Sequence, residues 1–137
     1  MIHLQSIYAT DYIKVEINTK KEYVEITWLQ QHTSTIFRKE LSLIVSYADE
    51  YDITRILYDV RERSYLEIAD QNWVMKEIVP LLNGENLKLA YLVNPISLVS
   101  MDVYRVQDAL VANSKIRSSI NVEVFLTKED AQRWLFS

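Results

Sequence analysis

The strongest constraint on the fold is a change in the spacing of apolar residues near residue 30. Before it, residues 12–18 and 23–29 alternate apolar and polar side chains, the period of a half-buried strand. After it, five apolar residues are spaced by four, three, four and three positions: Phe37, Leu41, Ile44, Ala48 and Tyr51. This stripe predicts an amphipathic helix of about 18 residues, with Thr33 or Ser34 capping its first turn. The change of period indicates an α/β protein that begins with strands.

The rest of the chain alternates between the two periods. Residues 19–22 are a short polar link, which predicts an antiparallel hairpin, and the residues before it can add an edge strand. The further predicted elements are strands at 54–59, 87–93 and 121–126 and helices at about 69–82, 97–113 and from 127 onwards. Because crossovers between successive strands are right-handed and make those strands parallel, we predict a mixed sheet. It has an N-terminal antiparallel hairpin and a parallel remainder covered by about four helices.

Two residues bear on the second predicted helix. Pro80 removes one backbone hydrogen bond, so we expect a kink or an early end there. Gly84 lies where a left-handed residue would terminate the helix. No linker, repeat or low-complexity tract interrupts the sequence, so residues 1–137 are expected to form a single domain.

Composition excludes several classes of function. Gly84 is the only glycine, so glycine-rich phosphate loops are absent, and the chain has no cysteine and only two histidines. We therefore expect no cofactor, no bound metal ion and no thiol chemistry. With 15 basic and 19 acidic residues the net charge is −4, which disfavours nucleic acid and anionic lipid as partners. No apolar run approaches the ~20 residues of a membrane span, and the start of the chain does not resemble a signal peptide, so a cytoplasmic location is expected.

Three short segments carry a resemblance to a family. They are residues 58–61 (YDVR) at the end of a strand, 70–73 (DQNW) at the start of a helix that reaches Pro80, and 125–135 (FLTKEDAQRWL). Together they resemble the small bacterial STAS/SpoIIAA-like proteins, over about residues 12–136. The resemblance implies the architecture of anti-sigma-factor antagonists and of the lipid-binding CRAL-TRIO fold. It also implies a non-enzymatic regulatory or protein-interaction domain, with a protein partner or a second copy of the chain bound.

The chain departs from that family at one position. Anti-sigma-factor antagonists carry a phosphorylatable serine or threonine in a glycine-containing turn at the start of the helix after the central strand. The matching stretch, residues 61–69, offers Ser64, which no glycine follows. This departure argues against regulation by phosphorylation.

The carboxyl ends of the parallel strands are the expected place for a site. Ligands of parallel sheets bind there, and His32, Asp59, Arg61 and Asn94 all follow predicted strands. Arg61 and Arg63 either grip an anion or neutralise Asp59 and Glu62 on a solvated loop, and the second interpretation is preferred. An enzyme would use His32 and Asp59 as a proton-transfer pair, which requires hydrogen-bond contact between them. No catalytic residue is assigned.

Aromatic residues support the alternative functions. Trp73, near the start of the second helix, could form the floor of an apolar pocket beside Val99 and Val103 that holds a lipid or another small apolar molecule. Tyr12 and Tyr23 could pair across the hairpin as an exposed patch for a protein partner. The predicted binding residues are therefore His32, Asp59, Arg61, Ser64, Trp73 and Asn94.

Overall fold

Six strands form one mixed sheet in the computed structural model, which describes residues 2–81, 86–95 and 120–137. The strands are β1 (Gln5–Ala9), β2 (Ile13–Asn18), β3 (Tyr23–Trp28), β4 (Arg55–Asp59), β5 (Leu87–Leu92) and β6 (Ile120–Phe125). They lie side by side in the order of the chain. β1, β2 and β3 are antiparallel neighbours, and each pair from β3 to β6 is parallel. The predicted N-terminal hairpin and parallel remainder are confirmed.

The hairpin follows the predicted register but not the predicted pairing of tyrosines. Asn18 faces Tyr23 beside the turn, and Ile13 faces Trp28 at the other end. Tyr12 therefore lies at the opposite end of the hairpin from Tyr23. Tyr23 is also buried beneath the C-terminal helix, where its ring contacts Phe136. The expectation of an exposed Tyr12–Tyr23 patch is wrong, because both faces of β3 are covered at its first residue.

Three helical segments are described. α1 (Ser34–Glu50) begins at Thr33, whose side chain accepts a hydrogen bond from the Ile36 backbone N–H, as predicted. α2 (Ile68–Trp73) continues as a π-helical turn (Val74–Ile78) and a 3₁₀ turn (Val79–Leu81). α3 (Lys128–Leu135) is capped by Thr127, which accepts from the Asp130 N–H.

The second helix is thus irregular before Pro80 is reached. Proline donates no hydrogen bond and its ring crowds the preceding turn, and wider and tighter turns accommodate it. The expected loss of regular helix near Pro80 is confirmed. Gly84 and the predicted helix at 97–113 lie outside the described residues.

The two faces of the sheet have different coverings. On the first face, side chains such as Trp28, Ile56 and Leu89 pack in one core with α1 and with Val74 and neighbouring residues of the second helical segment. On the second face, a smaller core joins strand residues to α3: Tyr23, Leu57, Ala90, Leu92, Ala131 and Leu135. Since successive strand residues point to opposite sides, α1 and α3 lie on opposite faces of the sheet. Within the described ranges, no helix is both long and apolar enough to cross a bilayer.

Polar contacts hold α3 against the second face. Buried Glu25 on β3 accepts from the Tyr23 hydroxyl at 2.8 Å and lies 2.6 Å from the Lys128 ammonium. At the other end of the helix, Arg55 and Lys88 donate to the carbonyl oxygens of Leu135 and Trp134. Cations at this end satisfy unpaired carbonyls and oppose the helix dipole. The second face is therefore closed by charged contacts as well as by its small core.

Candidate functional site

An apolar cavity lies within the core of the first face. It has a volume of about 90 Å³ and lies between the sheet and the inner sides of α1 and the 74–79 turns. Its walls are mainly aliphatic and aromatic side chains, among them Phe37, Leu41, Ile44, Ile56, Val79 and Leu89. An apolar cavity between packed elements is the default hypothesis for a binding site.

Arg63 is the one charged side chain among the described residues that line this cavity. Only 4% of the residue is exposed, and its guanidinium carbon lies 6.0 Å from the centre of the Tyr58 ring. Tyr58 lines the cavity too, and its hydroxyl accepts a hydrogen bond of 2.9 Å from the Trp28 indole N–H. A polar wall therefore lies at the end of the cavity nearest the carboxyl ends of β3 and β4.

The loop after β4 places Arg63 there by a simple repeat. Val60, Arg63 and Leu66 are buried, whereas Glu62 and Ser64 between them are exposed. The Arg63 N–H donates to the Val60 carbonyl at 3.1 Å, which closes a turn within the repeat. The sequence interpretation placed Arg63 with Arg61 on a solvated loop. The spacing of three residues between Val60, Arg63 and Leu66 is the pattern that could have indicated its burial.

Neighbouring strands hold this loop in place from both sides. Gln31, after β3, accepts from the Ser64 N–H at 2.8 Å and donates to the Tyr65 carbonyl at 3.1 Å. Asn94, after β5, donates its amide N–H to the Arg61 carbonyl. The expected meeting of polar residues at the carboxyl ends of the strands does occur. For Gln31 and Asn94 the observed contacts position the loop that carries Arg63.

Arg61 lies on the other side of the loop. It forms a two-pronged contact with the buried carboxylate of Asp59, with Nη2 at 2.8 Å from Oδ2 and Nε at 3.1 Å from Oδ1. This hydrogen-bonded carboxylate raises the pKa of Arg61 above its ordinary value. Asp59 alternates with Tyr58 along β4 and so points toward the second face. The neutralising interpretation fits Arg61 and Asp59, whereas Arg63 is buried on the first face and is not part of a solvated loop surface.

His32 belongs to an aromatic stack. Its ring centre lies 4.5 Å from that of Trp28 and 4.8 Å from that of Phe37, and its Nδ1 is 3.3 Å from the Thr33 carbonyl oxygen. The buried Nε2 has no hydrogen-bond partner among the described residues. Burial, and then the positive charge of Arg63, lower the pKa of His32 to about 4. The imidazole is therefore neutral at pH 7 and behaves as part of the core.

The contact that a His32–Asp59 proton-transfer pair would need is missing from the described residues. No hydrogen bond joins His32 to Asp59, whose carboxylate is held by Arg61. The carboxylate that acts on His32 is instead that of Asp70. The condition set for a proton-transfer pair is not met, because the two side chains are directed to opposite faces of the sheet.

The remaining predicted residues lie around the cavity rather than in it. Ser64 is exposed and precedes the start of α2 by four residues, so it is not in the first turn of that helix. Trp73 packs edge-on against Phe37 at 6.0 Å and beneath the Arg38 guanidinium at 5.5 Å. It is not among the lining residues. Among the described residues, the cavity is walled by α1 and the 74–79 turns, and Val99 and Val103 of the predicted pocket lie outside the described residues.

A buried carboxylate joins α1 to α2, the helix that leads into the 74–79 turns of the cavity wall. Asp70, in the first turn of α2, accepts from the Ser34 hydroxyl at 2.7 Å and from Arg38 Nε at 2.9 Å, both on α1. A charge-assisted pair of this kind orients both partners. The contact joins α1 to α2 near the end of the cavity where Arg63 lies.

Neither metal-binding groups nor similar proteins assign a function to this site. In the described ranges, no three histidine, cysteine or acidic residues lie close enough together to hold a metal ion. No protein-family model matches the chain, and no curated protein or solved structure shows significant similarity to it. The STAS/SpoIIAA-like resemblance therefore rests on the three short sequence segments given above.

Proposed function

We propose that this chain is a non-enzymatic binding domain that holds a small apolar molecule in the cavity of its first face. The observation that carries the proposal is the cavity of about 90 Å³ with its nearly continuous apolar lining. Side chains around empty space lack dispersion contacts on one side, and a ligand of matching shape restores them. The predicted lipid or small apolar ligand is therefore supported by the space available for it.

The volume limits the size of the ligand. An engineered apolar cavity of about 150 Å³ stays dry and binds benzene or xenon. A site of about 90 Å³ is smaller and suits xenon or a short aliphatic chain. A long-chain lipid would need the helices that wall the cavity to move apart, and the Asp70 contacts to Ser34 and Arg38 oppose that movement.

Xenon is a direct probe of this proposal. Dissolved xenon should shift the NMR signals of methyl groups on Leu41, Ile44 and Val79 and leave those of Leu57 and Leu135 on the second face unchanged. Filling the space with Ala48→Leu should abolish the shifts, since Ala48 lines the cavity. Ala69→Leu is the matched control, because Ala69 is exposed on α2 and not among the lining residues. Absence of any xenon response in the wild-type protein would overturn the proposal.

A regulatory protein-interaction role, as the STAS/SpoIIAA-like resemblance implies, is the second candidate. Leu29, Tyr65 and Ile68 are exposed at 40%, 50% and 64%. Leu29 is two residues from Gln31, which bonds to Tyr65, so exposed apolar groups flank the loop. The partner in this proposal is a second copy of the chain in the cytoplasm.

Sedimentation at several concentrations tests the second candidate. A dimer that Ile68→Ser dissociates supports it, and Leu126→Ser is the control because Leu126 is an exposed residue after β6, away from this loop. A monomer at all concentrations excludes self-association through this surface.

A further inference from the structure

We infer that the edge of the first face carries a second binding site, in which Glu40 on α1 pairs with the ammonium group of a primary amine beside the rings of Tyr8 and Tyr47. This site is separate from the apolar cavity, since none of these three residues is among the described residues that line the cavity. The inference therefore goes beyond the proposed function and does not depend on it.

The first argument is the incomplete set of partners around Glu40. The residue is 5% exposed, and its Oε2 atom has no hydrogen-bond partner in the described part of the chain. Within the same ranges, no lysine, arginine or histidine forms an ion pair with it. A buried carboxylate is costly when it has lost water and gained no opposite charge. An ammonium group has three N–H donors, so one ligand group supplies both the charge and the hydrogen bond.

The second argument is the contact between Glu40 and Tyr8. A hydrogen bond to Glu40, and then burial, raise the pKa of Tyr8 to about 12. The hydroxyl therefore keeps its proton at pH 7 and donates it to the carboxylate. Tyr8 faces Val15 of β2, whose side chain lies in the core of the first face, so this contact joins the edge strand β1 to α1. A carboxylate has two oxygens, and Oε2 is left for a ligand.

The third argument is the pair of tyrosine rings beside the carboxylate. Tyr47 lies two helical turns after Glu40 on the same side of α1, and its ring centre is 6.0 Å from that of Tyr8, with 50° between the ring planes. The faces of tyrosine rings attract cations. Both tyrosines are partly exposed, and β1 is at the edge of the described sheet. Rapid motion of these side chains can therefore open a path from solvent to Glu40.

The space around this site limits how a ligand can lie. A gap of about 10 Å³, lined by Tyr47, Val15, Ile44 and other apolar residues, lies between α1 and the hairpin. That is room for about one water-sized group. The ammonium group therefore enters, and the carbon chain attached to it extends toward solvent. A free alkylamine and the side chain of a lysine both present this chemistry.

Three probes with the same carbon chain separate charge from shape. Butylammonium, 1-butanol and butanoate are titrated at pH 7, with binding followed by the NMR signals of the Tyr8 and Tyr47 rings. We expect butylammonium to bind at least tenfold more tightly than 1-butanol, because hydrogen bonds to charged groups are the stronger ones. Butanoate should bind most weakly, since like charges repel.

A capped Ala-Lys-Ala peptide distinguishes the two sources of the ammonium group. Binding at least as tight as that of butylammonium would support a lysine side chain as the ligand. Weaker binding of the peptide would support a free amine.

Variants of two glutamates on α1 provide the matched control. Glu40→Gln keeps the shape of the side chain without the charge, so butylammonium should lose its advantage over 1-butanol. Glu50→Gln, at an exposed position of the same helix, changes the net charge equally and should keep that advantage. Tyr47→Leu removes one ring and should weaken butylammonium binding several-fold. Should Glu40→Gln fail to fold, the wild-type preference and Tyr47→Leu decide the question.

The failures of this inference and of the proposed function are distinguishable. Equal binding of butylammonium and 1-butanol overturns the ammonium site, as does a preference that Glu40→Gln retains. A preference that Glu50→Gln also removes overturns it too, because it would reflect a general attraction to an acidic surface. The xenon response of the apolar cavity tests the proposed function and is independent of all three results.

Discussion

The two faces of the sheet achieve burial in different ways. The second face meets a helix of eight residues, and alanines at Ala90 and Ala131 allow α3 to lie close to the strands. The first face meets α1 and the irregular segment that follows α2, and large side chains from both sides leave about 90 Å³ unfilled. Small residues at a contact bring elements together, whereas large ones with imperfect complementarity leave space.

The charged contacts also differ between the two faces. Ion pairs and charged hydrogen bonds on the second face tie both ends of α3 to the sheet, through Glu25 at one end and Arg55 and Lys88 at the other. On the first face the ion pair of Asp70 with Arg38 joins one helix to another, and Arg63 is buried in the wall of the cavity. The comparison teaches that the second face is the more completely filled, and that the proposed binding site lies on the face where packing leaves space.

Truncating one leucine on each face should give the largest difference between the faces in the free energy of unfolding that is lost. Leu57→Ala, on the second face, should lower the free energy of unfolding by about 3–4 kcal/mol, because its side chain is 1% exposed in a filled core. Leu41→Ala should cost about 2 kcal/mol, since Leu41 already borders empty space and makes fewer contacts there. Urea unfolding of both variants measures the difference. Equal losses would show that the first face is packed as tightly as the second.

Acid should lower the free energy of unfolding through His32, which packs on the first face. Burial and Arg63 lower the pKa of His32 to about 4 in the folded chain, against about 6.5 when unfolded. The unfolded chain therefore binds more protons between these values, so the free energy of unfolding falls as the pH drops from 6.5 to 4. We expect a loss of roughly 1–2 kcal/mol, since the ring is only partly buried and water screens part of the effect.

His32→Phe isolates that contribution. Phenylalanine preserves the stack with Trp28 and Phe37 but does not titrate, so this component of the pH dependence should disappear. A profile that His32→Phe does not flatten would contradict a neutral, core-like imidazole.

The smallest expected effects concern the helix caps on the two faces. Thr33→Ala and Thr127→Ala each remove a side-chain acceptor from a helix N-terminus and should each cost about 1 kcal/mol. Thr127→Ala should speed hydrogen exchange in α3 without altering xenon binding, whereas Thr33→Ala should weaken xenon binding slightly. Thr35→Ala, at an exposed position within α1, is the control. Equal effects of both caps on xenon binding would remove the functional distinction between the faces.

Much of the architecture was predictable because it depends on local periodicity. The stripe from Phe37 to Tyr51 predicted α1, and the alternation in residues 12–18 and 23–29 predicted β2 and β3. Burial on both sides of β3 was not predictable from that alternation. The alternation predicts that Glu25 faces solvent. In the structure it contacts Lys128 and Gln132, which are more than 100 positions away in the sequence.

The meeting of strand ends around one loop was predictable, but the cavity was not, and none of the six predicted binding residues is among its described lining residues. Parallel strands bring their carboxyl ends together, which is why residues after β3, β4 and β5 do meet around one loop. Which of two nearby arginines would be buried depends on how the loop turns, and only the repeat of Val60, Arg63 and Leu66 hints at it. The cavity itself arises where side chains from separate elements do not fill the space between them, and no local pattern in the sequence predicts such a gap.

The strictly consecutive order of the strands has a consequence for synthesis. Each strand after β1 pairs with the one made just before it, so it already has a neighbour when it leaves the ribosome. Contacts between neighbours in sequence lower the entropic cost of closing loops and favour rapid folding. The chain can therefore build its sheet from one edge during translation. α3, which follows β6 in the chain, can then cover the second face once β4, β5 and β6 are in place.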